Sequence, residues 1–181
     1  MLKELLLYIS IALLSALVAY PLVRFISFKF NWIDLPGGRK IHSAPTPRIG
    51  GLMIFVGFVI TYIISQNFDG VFKPLTSYSS DFSKLGFIVA ASCAFLLGFI
   101  DDIKGLRAKD KLVFQFVIGF IVAFSGLKIT NLTILSYTIN FGMFSYLLTA
   151  IWVVAFLNAV NFIDGLDGLA AGMVIIALCS G

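Results

Sequence analysis

The 181-residue chain is 60% hydrophobic and only 12% charged, with a net charge of +4 and a mean hydropathy of +1.02. A soluble domain of this size carries roughly 25% charged residues, so composition excludes a soluble globular fold and makes this an integral membrane protein. The basic residues gather mainly in two loops, which reads as topology signals and phosphate ligands and not as a nucleic-acid surface.

The first apolar run, residues 5–23, has 19 uncharged positions and is followed by Arg24, Lys29, Arg39 and Lys40. A secretory signal peptide places its positive charge before the core and a small-residue cleavage site after it. The run is therefore expected to be a retained membrane helix with its N-terminus outside.

Asp34-Leu-Pro-Gly-Gly-Arg-Lys-Ile-His-Ser-Ala-Pro-Thr-Pro-Arg-Ile-Gly-Gly51 follows. Three prolines and four glycines stiffen a loop that carries Arg39, Lys40, His42 and Arg48 to the start of a second run at 49–68. Backbone amides at a helix start together with Lys and Arg make an anion site. An ordinary positive-inside loop explains the same charges. His42, the single histidine, has no second His or Cys near it and reads as a surface or substrate-contacting residue.

Further spans are expected at 85–100 and 112–127, 16 residues each, or roughly 24 Å at 1.5 Å per residue. Lys84 and Lys111 at their edges can snorkel to make up the length. Cys93 lies within the third run and Cys179 in the last, with no CxxC or Cys/His cluster, so no disulfide framework or zinc site is indicated. Between the third and fourth runs stands Asp101-Asp-Ile-Lys-Gly-Leu-Arg-Ala-Lys-Asp-Lys111. The paired acids at the membrane edge suit a metal, and Lys109 and Lys111 suit a phosphate. A solvated turn with acids paired to lysines is the plainer alternative.

Residues 129–141 alternate Thr, Asn and Ser with Leu, Ile and Tyr, a period of two that fits a short extended or interfacial segment. A fifth span falls within 145–163 and a sixth begins near Gly168, with Gly181 about 14 residues into it. Since a span needs about 20 residues, the chain reads as the N-terminal part of a longer multi-span protein. The expected fold is all-α: one integral membrane domain over 1–181, a helix bundle of about six transmembrane helices.

Loops 28–48 and 101–111 hold eight Lys/Arg, and the opposite side holds Lys3, Lys73, Lys84 and Lys128. The positive-inside rule places the first set in the cytoplasm. Counting spans forward puts the turn at 164–167 on that side too.

That turn ends Asn158-Ala-Val-Asn-Phe-Ile-Asp-Gly-Leu-Asp167, two amides and two acids closing an apolar run. Such residues are costly in a membrane unless they face water, a partner or an ion. Asn158, Asn161 and Asp164 each advance by about 60° around a helix and form one slanting stripe. Oxygen ligands of this kind suit Mg²⁺ or Mn²⁺. Interhelical hydrogen bonds for the asparagines and simple turn chemistry for Asp-Gly are the alternatives.

Arg39-Lys40-Ile-His42, Pro45-Thr-Pro-Arg48-Ile-Gly-Gly51, Phe99-Ile-Asp-Asp102 and the 158–172 stretch resemble the polyprenyl-phosphate N-acetylhexosamine-1-phosphate transferases. The first loop is most similar to the N-acetylglucosamine type that initiates O-antigen, teichoic acid or capsule. The resemblance implies a bacterial cytoplasmic-membrane enzyme with its site facing the cytoplasm. It implies Mg²⁺-dependent transfer of a sugar-1-phosphate from a UDP-sugar to undecaprenyl phosphate, with release of UMP. By it, Asp101 and Asp102 are the catalytic pair and Asn161 and Asp164 the metal ligands. Lys40, His42, Thr46, Arg48, Lys109, Lys111, Asn158 and Asp167 are the substrate-binding residues.

A phosphate monoester has a second pKa near ~6 and an aspartate titrates near ~4. An aspartate is thus expected to orient the lipid phosphate, directly or through the metal, and not to act as a strong base. The family's C-terminal half lies beyond Gly181, so this stretch alone is expected to be inactive. A transporter or channel is the alternative class, but it requires polar groups at mid-membrane, where runs one to four have almost none. A CDP-alcohol phosphotransferase requires an Arg soon after Asp-Gly, and Asp167-Gly-Leu-Ala-Ala-Gly has none. Self-association into a homodimer is left open.

Overall fold

The computed structural model describes residues 2–34, 45–67, 81–134, 136–163 and 172–173. The chain divides into two compact units, Met1–Lys84 with Ala91–Arg107, and Leu85–Ala90 with Ala108–Gly181.

The first unit contains helix α1 (Leu2–Lys29), strands β1 (Ile33–Asp34) and β2 (Thr46–Pro47), helix α2 (Gly51–Asn67) and most of helix α3 (Asp81–Lys104). α1 is an almost unbroken apolar run and carries Pro21 in its interior, which a membrane helix tolerates where a soluble one breaks. α1 packs on α2 at small residues: a Cβ added to Gly57 would lie 2.8 Å from the Ala12 carbonyl oxygen. Close backbone approach at Gly and Ala is how helices associate in lipid, where apolar side chains gain nothing by leaving the solvent. From α2 to α3 the contact is aromatic. Phe55 stacks on Phe95 with ring centroids 4.0 Å apart and planes 2° from parallel, and Phe95 touches Phe99 at 5.7 Å.

In the second unit lie α4 (Ala108–Phe124), the antiparallel pair β3 (Asn131–Ile134) and β4 (Tyr137–Asn140), and α5 (Phe144–Ile163). α4 and α5 approach closely at Gly119, whose added Cβ would sit 2.7 Å from the Ala150 Cα. Gly86, in the α3 stretch of this unit, has the Ser125 side chain standing where its own Cβ would be.

The distribution of polarity is that of a protein solvated by lipid. Ser27, Gln115, Ser145 and Thr149 are buried, while Leu14, Val18, Ile54, Trp152 and Phe162 point outward. Stretches Leu6–Lys29, Phe82–Lys104 and Phe144–Ile163 are long and apolar enough to cross a membrane, and Gly51–Ser65 is apolar but shorter. Against the expectation of about six spans, three stretches among the described residues qualify. The sixth expected span lies outside them apart from 172–173. The third expected span, 85–100, is a 24-residue helix, because α3 continues at both ends through charged residues that its apolar core does not include.

Candidate functional site

Asp101 and Asp102 lie in the last turn of α3 and not in the loop after it. Gly105, with φ +65°, closes that helix by donating its amide to the Asp101 carbonyl at 2.8 Å. This is a left-handed cap, a conformation that glycine adopts without a Cβ penalty. The Asp101 carboxylate then accepts from the Leu106 amide at 2.9 Å, so it shapes the turn that leads to α4. Asp101 is half-buried and Asp102 exposed.

The basic first loop is closed at its base by β1 and β2, which pair Ile33 with Pro47 and Asp34 with Thr46. Next to this pair the Arg48 amide donates to the Trp32 carbonyl at 3.0 Å, and the Trp32 amide donates to the Ser27 carbonyl at 2.8 Å. The clasp is therefore fixed to the end of α1. Trp32 stacks on Phe30 at 5.1 Å and meets the Phe99 ring edge-on at 6.1 Å. Phe99 is one helical turn before Asp102. Arg48 is thus linked through Trp32 to the turn of α3 that precedes the acid pair. Thr46 is half-buried, Arg48 is exposed, and Ile49 beside them is 1% exposed and pins the start of α2. An added Cβ at Gly50 or Gly51 would meet nothing within 4 Å, so packing among the described residues does not call for glycine there.

The second unit holds the third motif. Lys111 donates to the Asn161 side-chain oxygen at 3.3 Å. One turn along, Asn158 Nδ2 donates to Gln115 Oε1 at 2.7 Å, and Gln115 Nε2 returns a bond to Asn158 Oδ1 at 3.4 Å. Asn158 also donates to the Val154 carbonyl at 2.8 Å. Lys111, Gln115 and Gly119 recur every four residues on α4, opposite Asn161, Asn158 and Ala150 on α5. Two polar rungs and one backbone contact therefore lock the helices in register. Lys109 is exposed in the first turn of α4.

Gln115 was not singled out in the sequence. A lone amide in an otherwise apolar span was the available signal, and at 2% exposure it is a buried interhelical partner. Lys40, His42, Asp164 and Asp167 lie outside the described residues, and among the described ones no three of His, Cys, Asp and Glu gather. The donors present are hard oxygens. Asn161 Oδ1 accepts from the Lys111 ammonium, and an amide oxygen is of the donor class that suits Mg²⁺.

Residues 84–181 match the family model described as glycosyl transferase family 4. The chain is 35% identical over 170 residues to a Bacillus subtilis (strain 168) protein named probable undecaprenyl-phosphate N-acetylglucosaminyl 1-phosphate transferase, covering 93% of this chain and 44% of that protein. It is 31% identical to a decaprenyl-phosphate N-acetylglucosaminephosphotransferase of Mycolicibacterium smegmatis, covering 93% of this chain and 43% of the relative. To a phospho-N-acetylmuramoyl-pentapeptide-transferase of Caldicellulosiruptor bescii it is 32% identical, covering 93% and 54%. The chain thus spans about half the length of these curated relatives. No solved structure matches it.

Proposed function

Because this chain belongs to glycosyl transferase family 4, we propose that the protein it comes from transfers N-acetylglucosamine-1-phosphate from its UDP-sugar to undecaprenyl phosphate. An oxygen of the lipid phosphate attacks the sugar-proximal phosphorus of the donor. The bridging P–O bond to the uridine-bearing phosphate breaks, giving polyprenyl diphosphate sugar and UMP. The product is the lipid-linked first sugar of a cell-envelope glycan. The reading goes with six spans over this stretch, an outside N-terminus and a cytoplasmic site in the bacterial inner membrane.

The observation that carries it is the chemistry collected at the helix ends. In one unit, Asp101 and Asp102 end α3, and the Arg48 amide is tied through Trp32 to Phe99 on the preceding turn. In the other, Lys111 meets Asn161 in the three-residue stride that leads to Asp164. Ammonium and guanidinium groups suit phosphates, and carboxylate and amide oxygens suit a hard divalent cation.

Asn161 and Asp164 would hold Mg²⁺, which when bound would neutralise charge on the diphosphate and on departing UMP, and Asp101 and Asp102 are the catalytic pair. Asp102, the more exposed acid of the pair, orients the acceptor phosphate. Asp101, which also holds the turn after α3, is the other acid of the pair, and Lys109 and Lys111 would take the donor phosphates. Lys40, His42, Thr46 and Arg48 take the nucleotide side, with Asp167. Proton abstraction by an aspartate is unnecessary, since the lipid phosphate is mostly dianionic above its second pKa of about 6.

Exchange of radiolabelled UMP into UDP-sugars by the complete protein, with polyprenyl phosphate and Mg²⁺ supplied, tests the proposal. Label entering UDP-N-acetylglucosamine supports it. Label entering only a different UDP-sugar replaces the donor, and no lipid-dependent exchange with any donor rejects the reaction.

A further inference from the structure

The β3–β4 hairpin sits at the far end of α4 from Lys111 and Asn161, and its pairing sorts its side chains completely. Leu132 faces Ile139 and Ile134 faces Tyr137, while Asn131 faces Asn140 and Thr133 faces Thr138. Directly opposed residues share a face and alternate residues return to it. One face is therefore Leu132, Ile134, Tyr137 and Ile139, and the other is two asparagines and two threonines, the latter bonded hydroxyl to hydroxyl at 3.0 Å. Among the described residues nothing covers the apolar face, with Tyr137 80% exposed. Met143, just before α5, and Phe144, its first residue, are 87% and 74% exposed.

Water is a poor solvent for such a face. An isolated two-stranded hairpin is marginal in water, and exposed edge strands usually carry charge to prevent association. Residues 129–163 contain no Asp, Glu, Lys or Arg. Hydrocarbon is equally unsuitable, since both strands are edges and lipid cannot satisfy their outward amides and carbonyls. The boundary between the two meets both demands.

The hairpin is also fastened at that level. The Ile129 amide donates to Thr149 Oγ1 at 2.9 Å, and Thr149 Oγ1 donates to the Ser145 carbonyl at 2.7 Å. Lys128 donates to the Tyr146 hydroxyl at 3.0 Å, a Lys–Tyr pair of the kind that marks a membrane–water interface. With 17 residues, α4 is about 25 Å long at 1.5 Å per residue, short of a hydrocarbon core of about 30 Å. A hairpin seated in the interfacial layer supplies the missing depth.

We propose that the Leu132–Ile134–Tyr137–Ile139 face is a lipid-binding surface. It lies in the interfacial layer of the leaflet at the α4 C-terminal end and fixes the depth of the α4–α5 pair. This does not depend on the sugar-transfer reading.

The test is spin-label accessibility in the complete protein, with Cys93, Cys179 and every other native cysteine replaced by Ala, in phosphatidylcholine–phosphatidylglycerol liposomes. Labels are introduced singly by Leu132→Cys, Ile139→Cys, Thr133→Cys and Thr138→Cys. Dissolved oxygen exceeding a water-soluble nickel chelate at 132 and 139, with the order reversed at 133 and 138, supports the proposal. Three results overturn it. Equal nickel access on both faces leaves the hairpin in water. Exclusion of both reagents at 132 and 139 means that another part of the protein covers the face. Spin–spin broadening that disappears on dilution with unlabelled protein means that a second copy covers it.

Discussion

Gln115 and Asn158 exchange their side-chain amides across α4 and α5, at 2.7 Å in one direction and 3.4 Å in the other. A reciprocal amide pair needs both groups nearly coplanar, so it tolerates little rotation of either helix. Asn161 follows Asn158 on the same stripe of α5, and the pair therefore sets the direction in which that stripe faces. Interhelical hydrogen bonds in membranes average about 0.6 and reach about 1.7 kcal/mol. Gln115→Ala and Asn158→Ala are each expected to lower stability by about 1 kcal/mol, and the double variant by less than the sum. Unfolding in mixed detergent measures this. Equal falls in turnover for the two single variants would mark Asn158 as acting through the helix register. A much larger loss for Asn158→Ala would mark direct substrate contact.

At Gly119 the backbones of α4 and α5 leave no room for a side chain, since an added Cβ would fall 2.7 Å from Ala150 Cα and 2.8 Å from its carbonyl oxygen. Gly119→Val is expected to force the helices apart at a cost of about 1–3 kcal/mol. Gly98→Ala, where an added Cβ meets nothing within 4 Å, is the matched control and should leave stability within about 0.5 kcal/mol of the parent. Thermal unfolding in one detergent compares the two.

Asp101 combines a structural bond with its expected part in the reaction, and substitution separates them. Asn keeps an oxygen for the Leu106 amide, whereas Ala removes the acceptor for a bond of 2.9 Å. Asp101→Asn should therefore unfold close to the parent, and Asp101→Ala should lose about 0.5–1.5 kcal/mol, the usual net worth of such a bond. Both should lose exchange activity. Full activity in a well-folded Asp101→Asn would confine the residue to shaping the turn.

The pH dependence separates orientation from base catalysis. The lipid phosphate loses its second proton near ~6, so nucleophilic dianion declines as pH falls through that value and the rate should fall with it. This acid limb belongs to the substrate and should remain in whatever residual activity Asp102→Asn retains. Rate–pH profiles of parent and variant check this, and disappearance of the limb in the variant would identify Asp102 as the titrating group.

Charge and apolar runs made the membrane class and the order of the polar motifs readable from the sequence. Hydropathy did not reveal that α3 carries Asp101 and Asp102 within its last turn. A helix ends where its hydrogen bonds are capped, here by Gly105, and not where its hydrophobicity stops. Nor could the runs show that Trp32 bridges the first loop to Phe99, because an aromatic contact between distant segments has no local periodicity. Gln115 was hidden for a related reason: its partner Asn158 is 43 residues away. The 158–161 amides were visible as a stripe, but not the lysine and glutamine that meet them.

The most direct test of the account is Mn²⁺ binding to the complete protein in lipid nanodiscs, followed by electron paramagnetic resonance. One tight ion per chain is expected, weakened by Asn161→Ala and by Asp164→Asn, with the double variant little worse than either single one. Retention of full Mn²⁺ affinity in either single variant would contradict a cation held by Asn161 and Asp164.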